Sequence, residues 1–213
     1  MTDPTHLIVI AGLMALVPFL VVSCTSFLKI TIVMSLLRNA MGVQQIPPNM
    51  AMYGLGLILS AYVMAPVANN MYASVKTLSV ASQDVGAMVE TVAKGAEPLR
   101  GFLARHAKVE QKTFFVRTAR SLWGPELAAT VGPNDYLVLM PAFMVSEMTR
   151  AFQVGFLLYL PFVVIDLIVS NVLLAMGMMM VSPVTISLPL KLFLFVMVDG
   201  WSRLIQGLVL SYA

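Results

Sequence analysis

Four ionisable side chains, Glu147, Arg150, Asp166 and Lys191, stand in a C-terminal region that is otherwise apolar and long enough to cross a bilayer. An ionised group at membrane depth costs roughly 2.5–3.5 kcal/mol on insertion scales, so such groups face protein partners or water-filled space rather than lipid. Ion pairing is the chemistry this implies. Glu147 and Arg150 lie three apart on one helical face, and Asp199 and Arg203 lie four apart with the acid first, the better orientation for a helical pair. Asp166 and Lys191 have no charged neighbour at helical spacing. Each must find its counterion on another element of this chain or on another subunit, since a lone buried charge is prohibitive; the charges themselves do not distinguish the two.

The same region holds Met176-Gly177-Met178-Met179-Met180, followed by Pro183. Gly177 and Pro183 predict a loop with hinge-like ends rather than a rigid helix. Methionine has three soft torsions and a polarizable thioether, so a cluster fills irregular space and yields to varied neighbours. Composition alone favours lipid-facing filler, because the chain has 17 methionines.

Enzymatic chemistry finds little support. Asp166 and Asp199 are the carboxylates an intramembrane aspartyl protease would need, sharing one proton. Val198-Asp199-Gly200 lacks the Gly-x-Gly-Asp context of such enzymes, and no Ser/His set is placed at membrane depth. An ion-coupled solute transporter would explain charged, broken helices, but the chain has no repeated halves. There is one cysteine, Cys24, with His6 and His106 far apart, so no disulfide, metal spacing or cofactor is expected. No Gly-rich phosphate loop is present to bind ATP.

The elements that carry these residues are apolar: 59% of the 213 residues are hydrophobic and 11% charged, which defines an all-α integral membrane protein. The net charge of +3 is spread along the chain, which argues against nucleic acid. Leu7 to Leu28 is 22 uncharged residues with no preceding Lys or Arg, and so reads as a helix, bent at Pro18, rather than a signal peptide. Val21-Val22-Ser23-Cys24 only loosely resembles a lipoprotein cleavage box. A second apolar helix is predicted from Met50 to about Ala68, capped by Asn49 after Pro47-Pro48. Its small residues, among them Gly54, Gly56 and Ser60, permit close helix approach.

Most of the charged residues fall between Val67 and Asp135, where Ala93 to Trp123 has the pattern of one or two amphipathic helices. Its basic residues read as a solvated face or, more sharply, a surface for acidic partners. The chain thus divides into N-terminal apolar helices (1–68), a polar helical region (69–135) and broken apolar helices with the methionine loop (136–213). Lys29 and Arg38 place the segment between the first two helices on the cytoplasmic side and the N-terminus and polar region on the far side, which in a bacterium is the periplasm. In the last part, Asp166 interrupts an apolar run too long for one span, which predicts a kinked or hairpin path.

The run Pro141-Ala142-Phe143-Met144-Val145-Ser146-Glu147-Met148-Thr149-Arg150-Ala151-Phe152-Gln153-Val154-Gly155-Phe156 resembles the signature of the FliP/SctR family of type III secretion and flagellar export gates. Arg38-Asn39-Ala40-Met41-Gly42 with Gln44-Gln45-Ile46-Pro47-Pro48-Asn49 is similar to the family's early motif, and Leu188-Pro189-Leu190-Lys191 to Asp199-Gly200-Trp201 to its C-terminal one. Met148 and Val154 are conservative departures. The N-terminus looks more like the injectisome branch than the flagellar one.

This resemblance implies kinked helical hairpins assembled as a helical ring of five copies in the bacterial inner membrane, projecting to the periplasmic side. The implied partners are SctS- and SctT-like gate subunits, SctU- and SctV-like export components, inner rod or needle proteins, membrane lipid and the secreted polypeptides. It also implies a non-enzymatic entrance pore for unfolded protein. In that pore Met176, Met178, Met179 and Met180 would act as a gasket, and Glu147, Arg150, Asp166 and Lys191 would pair between helices or subunits.

Overall fold

The computed structural model describes residues 4–43, 45–77 and 93–213, and those residues contain no strand. Gln44 of the early motif, and Gly86 with the rest of 78–92 in the polar region, lie outside the described residues. The helices are α1 (Pro4–Cys24), α2 (Phe27–Met41), α3 (Asn49–Thr77), α4 (Glu97–His106), α5 (Val109–Leu122), α6 (Pro125–Thr130), α7 (Tyr136–Ala175), α8 (Pro183–Met197) and α9 (Gly200–Leu210). By packing, they fall into two compact units, one built from the chain up to Leu28 with Ser60–Glu147, the other from Lys29–Leu59 with Met148–Ala213.

The predicted first helix breaks between Cys24 and Phe27, and Pro18 sits inside α1. Thr25 explains the position: its hydroxyl bonds back to the Val21 carbonyl and accepts the Phe27 N–H at 3.3 Å, a local turn that competes with helix. Ser60 Oγ is 2.9 Å from the Thr25 hydroxyl, so a small residue of α3 meets that turn. Elsewhere in this unit α4 and α5 divide the amphipathic stretch. Phe102 and Leu103 are buried, the Phe102 ring lying 5.7 Å from Phe143 of α7, while Arg105, Arg117 and Arg120 are exposed. The α5 N-terminus is tied to α7 by the Lys108 N–H, which donates to Ser146 Oγ at 2.9 Å. Tyr136 donates to the Ala96 carbonyl at 2.7 Å, and Arg100 stacks over its ring at 4.9 Å.

The second unit is built on α2. Its buried Ile30, Val33, Met34, Leu37, Ala40 and Met41 recur at helical spacing and form one apolar stripe. Met52, Ala151, Phe162, Phe195, Leu204 and Leu208 complete that core. Gly155 lets α7 approach α2: a methyl group there would overlap Leu36. Gly200 plays the same part between α8 and α9, where any Cβ would overlap the Phe195 ring. Phe195 in turn meets Trp201 edge-on at 5.4 Å, and α8 and α9 bend through 62° at this elbow.

Among the described residues two helices are long and apolar enough to cross a membrane, the Asn49–Lys76 part of α3 and all 40 residues of α7, and the count reaches four if α1 with α2 and α8 with α9 each make one bent span. Most large side chains along α7 are exposed, including Phe152, Phe156, Leu157, Leu160, Val164, Leu167 and Ile168. A helix apolar on nearly every side is made for lipid or for other helices. No break falls at Asp166: α7 continues through it, and through Pro141 and Pro161, as helix, and the predicted hairpin comes later, at the methionine turn.

Candidate functional site

The α7 helix ends at the methionines because Gly177 adopts the left-handed conformation at φ 72°. The Met178 N–H reaches back to the Leu173 carbonyl at 2.9 Å and the Gly177 N–H to Leu174 at 3.0 Å. This pair of bonds closes a helix C-terminus and satisfies carbonyls that would otherwise be orphaned, and glycine adopts the required backbone without strain. Pro183 occupies the first turn of α8, where its missing N–H has no intrahelical partner to lose. Between the two ends Met179 is 80% exposed and Met180 100%, with Met176 and Met178 also exposed. The turn therefore presents four thioether side chains outward from the tip of a helical hairpin.

Behind the tip, the arms of that hairpin are joined by charge. Lys191 Nζ on α8 lies 2.6 Å from Asp166 Oδ2 on α7 and donates to the Ala40 carbonyl at 3.2 Å. Ala40 belongs to the last turn of α2, whose free carbonyls and negative dipole end favour a cation. Lys191 is thus buried at 5% exposure with two acceptors, and the pair lies within one chain. Ser187, one turn earlier on the same face of α8, is fully buried.

Glu147 is fully buried in the first unit, and Arg150 is half-buried in the second. Asp199 introduces α9 with a left-handed backbone, and its carboxylate accepts from Ser202 Oγ at 2.9 Å. Asp166 and Asp199 therefore each have their own partner, a lysine and a serine.

Lys29 and Arg38, used above for orientation, are also structural. Arg38 donates to Asn49 Oδ1 at 2.6 Å and to the Pro47 carbonyl at 3.3 Å, clamping the link from α2 to α3. Asn49, expected as a cap, is the first helical residue, and the Pro48 carbonyl accepts the Met52 N–H instead. Lys29, 3% exposed, donates to Ser211 Oγ at 2.8 Å and sits 3.6 Å over the Tyr212 ring. The signal for Lys29 was its place in an apolar run, which demands a partner; the identity of that partner, 182 residues away, has no local trace.

Helices of spanning length, a proline-started hairpin with an exposed sulfur-rich tip, and a buried lysine holding three helices define an all-α membrane protein. The chain belongs to the FliP family, whose model matches residues 10–208. It is 52% identical over 210 residues to the Yop proteins translocation protein R of Yersinia pestis, covering 99% of this chain and 97% of that one. Over 210 residues it is 43% identical to the harpin secretion protein HrcR of Erwinia amylovora, covering 99% and 97%. Identity is also 43% to the virulence protein YscR of Salmonella typhimurium, over 214 residues, covering 99% and 98%. These relatives are named for protein translocation, harpin secretion and virulence, and the family is a structural component of the secretion apparatus.

Proposed function

We propose that this chain is a core subunit of the type III export gate in the bacterial inner membrane, forming with further copies the entrance through which unfolded proteins leave the cytoplasm. Near-full-length similarity to translocation and secretion proteins supports the assignment. The observation that carries the pore reading is the exposed methionine turn. Side chains of this softness, converging from several copies, close an irregular orifice, exclude water and ions by dewetting, and give way to a passing polypeptide. The ring has five copies, joined by SctS- and SctT-like subunits, and passes cargo received from SctU- and SctV-like components to inner rod or needle proteins.

The length of α7 supports a ring that stands partly outside the membrane plane. Its 40 residues extend about 60 Å at 1.5 Å per residue, whereas the hydrocarbon core is about 30 Å thick. Much of this apolar helix must therefore find neighbours other than lipid, and sibling subunits on the periplasmic side supply them.

The test is a conductance measurement on the reconstituted assembly. Replacing Met178, Met179 and Met180 together by Ala removes the soft bulk while leaving Gly177 and the hydrogen-bonded helix end intact, so the assembly forms but leaks ions and small solutes. A variant as tight as the parent identifies the methionines as lipid-facing filler and removes the gasket from this reading.

A further inference from the structure

The helices α4 and α5 form a hairpin laid along the start of α7. Its open end lies at the first turn of α7: Tyr136 donates to the carbonyl of Ala96, just before α4, and Ala119, near the end of α5, shares a small core with Val138. Its tip lies further along. The Lys108 N–H, between α4 and α5, donates to Ser146 Oγ at 2.9 Å, and midway the Phe102 ring meets Phe143. The tip therefore points toward the far end of α7.

Three cations stand at this tip. Arg105, in the last turn of α4, is exposed and Lys108 is half-buried, while Lys112, one turn into α5, reaches back to donate to the Ala104 carbonyl at 3.2 Å. Glu110 is the one acid between Ala104 and Thr113, so the tip is net positive. Val109 stands among these charges at 68% exposure, an apolar side chain left outside the fold.

The height of the tip on α7 narrows what it meets. The stretch of α7 beside α4 and α5 cannot lie in hydrocarbon, because Arg117 and Arg120 on α5 are exposed too, and exposed cations at membrane depth are costly. Beyond Ser146, α7 runs on for about 43 Å at 1.5 Å per residue. Its exposed side chains there are mostly apolar, among them Phe152, Phe156, Leu160, Val164 and Ile168. A bilayer with its headgroups is about 40–45 Å thick. Laid over that part of α7, it brings one layer of phosphates level with the tip. Lysine and arginine at such a level keep their charged heads on the phosphates and their stems on apolar surface. An acidic protein surface would answer the three charges but leaves the match in height and the outward valine without a reason.

We propose that the α4–α5 tip docks on the headgroups of anionic phospholipid, with Arg105, Lys108 and Lys112 on the phosphates and Val109 among the first acyl carbons. The contact fixes how deep α7 sits in the bilayer. It rests on α7 crossing the membrane and is independent of the methionine gasket.

The experiment uses the full chain in the complex it forms, reconstituted into phosphatidylethanolamine vesicles, with a fluorophore on Val109→Cys. Cys24, the other thiol of the chain, is 2% exposed and stays unlabelled. The vesicles also contain phosphatidylglycerol or phosphatidylcholine carrying a nitroxide quencher near the ester end of one acyl chain. The Val109 probe should be quenched, more strongly by phosphatidylglycerol, whereas a probe on Leu127→Cys, exposed on α6 at the open end of the hairpin, should escape both lipids. Changing Arg105, Lys108 and Lys112 together to Gln should abolish the preference for phosphatidylglycerol, as should about 1 M salt, where charges are screened beyond about 3 Å; Arg105→Lys should keep it. Equal quenching by the two lipids overturns the proposal without any charge variant having to fold. So does a Val109 probe quenched no more than the Leu127 probe, a preference that survives the triple glutamine change, or a photo-crosslinking residue at Val109 that captures a protein segment instead of lipid in native membranes.

Discussion

Gly200 and Gly177 carry backbone or packing demands that no larger residue meets, for different reasons. At Gly200 a methyl group would overlap the Phe195 ring, which is held between Phe162 and Trp201 and has little room to retreat. Overpacking of this kind destabilises by about 1–3 kcal/mol. At Gly177 nothing lies within 4 Å of an added Cβ, so the penalty there comes from φ 72° alone, about 1–2 kcal/mol for an L-residue in the left-handed region. Gly200→Ala should therefore lower the melting temperature of the purified protein and be partly rescued when Phe195→Leu is added. Gly177→Ala should be indifferent to that second change. Rescue of both, or of neither, contradicts the assigned contacts. The Asp-Gly-Trp run was noticed in the sequence as a motif, but its purpose was not legible there. What makes Gly200 necessary is a ring five residues earlier, folded back over it.

At the scale of elements, the hairpin of α7 and α8 is joined by one strong contact. Asp166 lies nine residues before the end of α7, and Lys191 eight after the start of α8. Arms of such similar length fold antiparallel with the two charges opposite each other, a count that the positions of Gly177 and Pro183 already permitted. Lys191→Met leaves Asp166 Oδ2 and the Ala40 carbonyl without their donor, which costs about 1–3 kcal/mol for unsatisfied groups, moderated because Asp166 is 40% exposed and partly reached by water. Adding Asp166→Leu should recover much of the loss, since apolar replacement of a whole pair is often neutral. Thermal melting of the single and double variants checks this; a double variant weaker than the sum of its singles argues against the pair. The sequence made the need for counterions plain, and the helical class with it. The unbroken run of α7 was not legible, because prolines and a charge in an overlong apolar stretch read as breaks. An interior proline forfeits one backbone hydrogen bond and crowds the carbonyl four residues earlier, which bends a helix as well as ending one, and α7 stays helical on both sides of each.

For the whole molecule, the question is what the exposed methionine tip faces. The chain has one cysteine, Cys24, which is 2% exposed, so a cysteine introduced at the tip reports almost without background. Met180 is the most exposed of the four methionines, and its replacement removes no contact within the chain. If the tips of several copies converge on a closed throat, Met180→Cys brings thiols within disulfide reach, where Cα atoms lie about 4.4–6.8 Å apart. Mild oxidation of the assembled complex should then yield covalent dimers of this chain on a non-reducing gel, and the same oxidation after detergent has separated the subunits should not. A tip that faces lipid keeps its thiols on the outer circumference, too far apart to join, and gives monomers in both conditions. Lys191→Glu places two acids opposite each other behind the tip and should abolish the dimers by preventing assembly, whereas the triple alanine change, combined with a cysteine at Met176, should keep them. Only a throat lined by the methionine turn produces that combination, because it requires the tips to be neighbours while the charged pair behind them holds each hairpin closed.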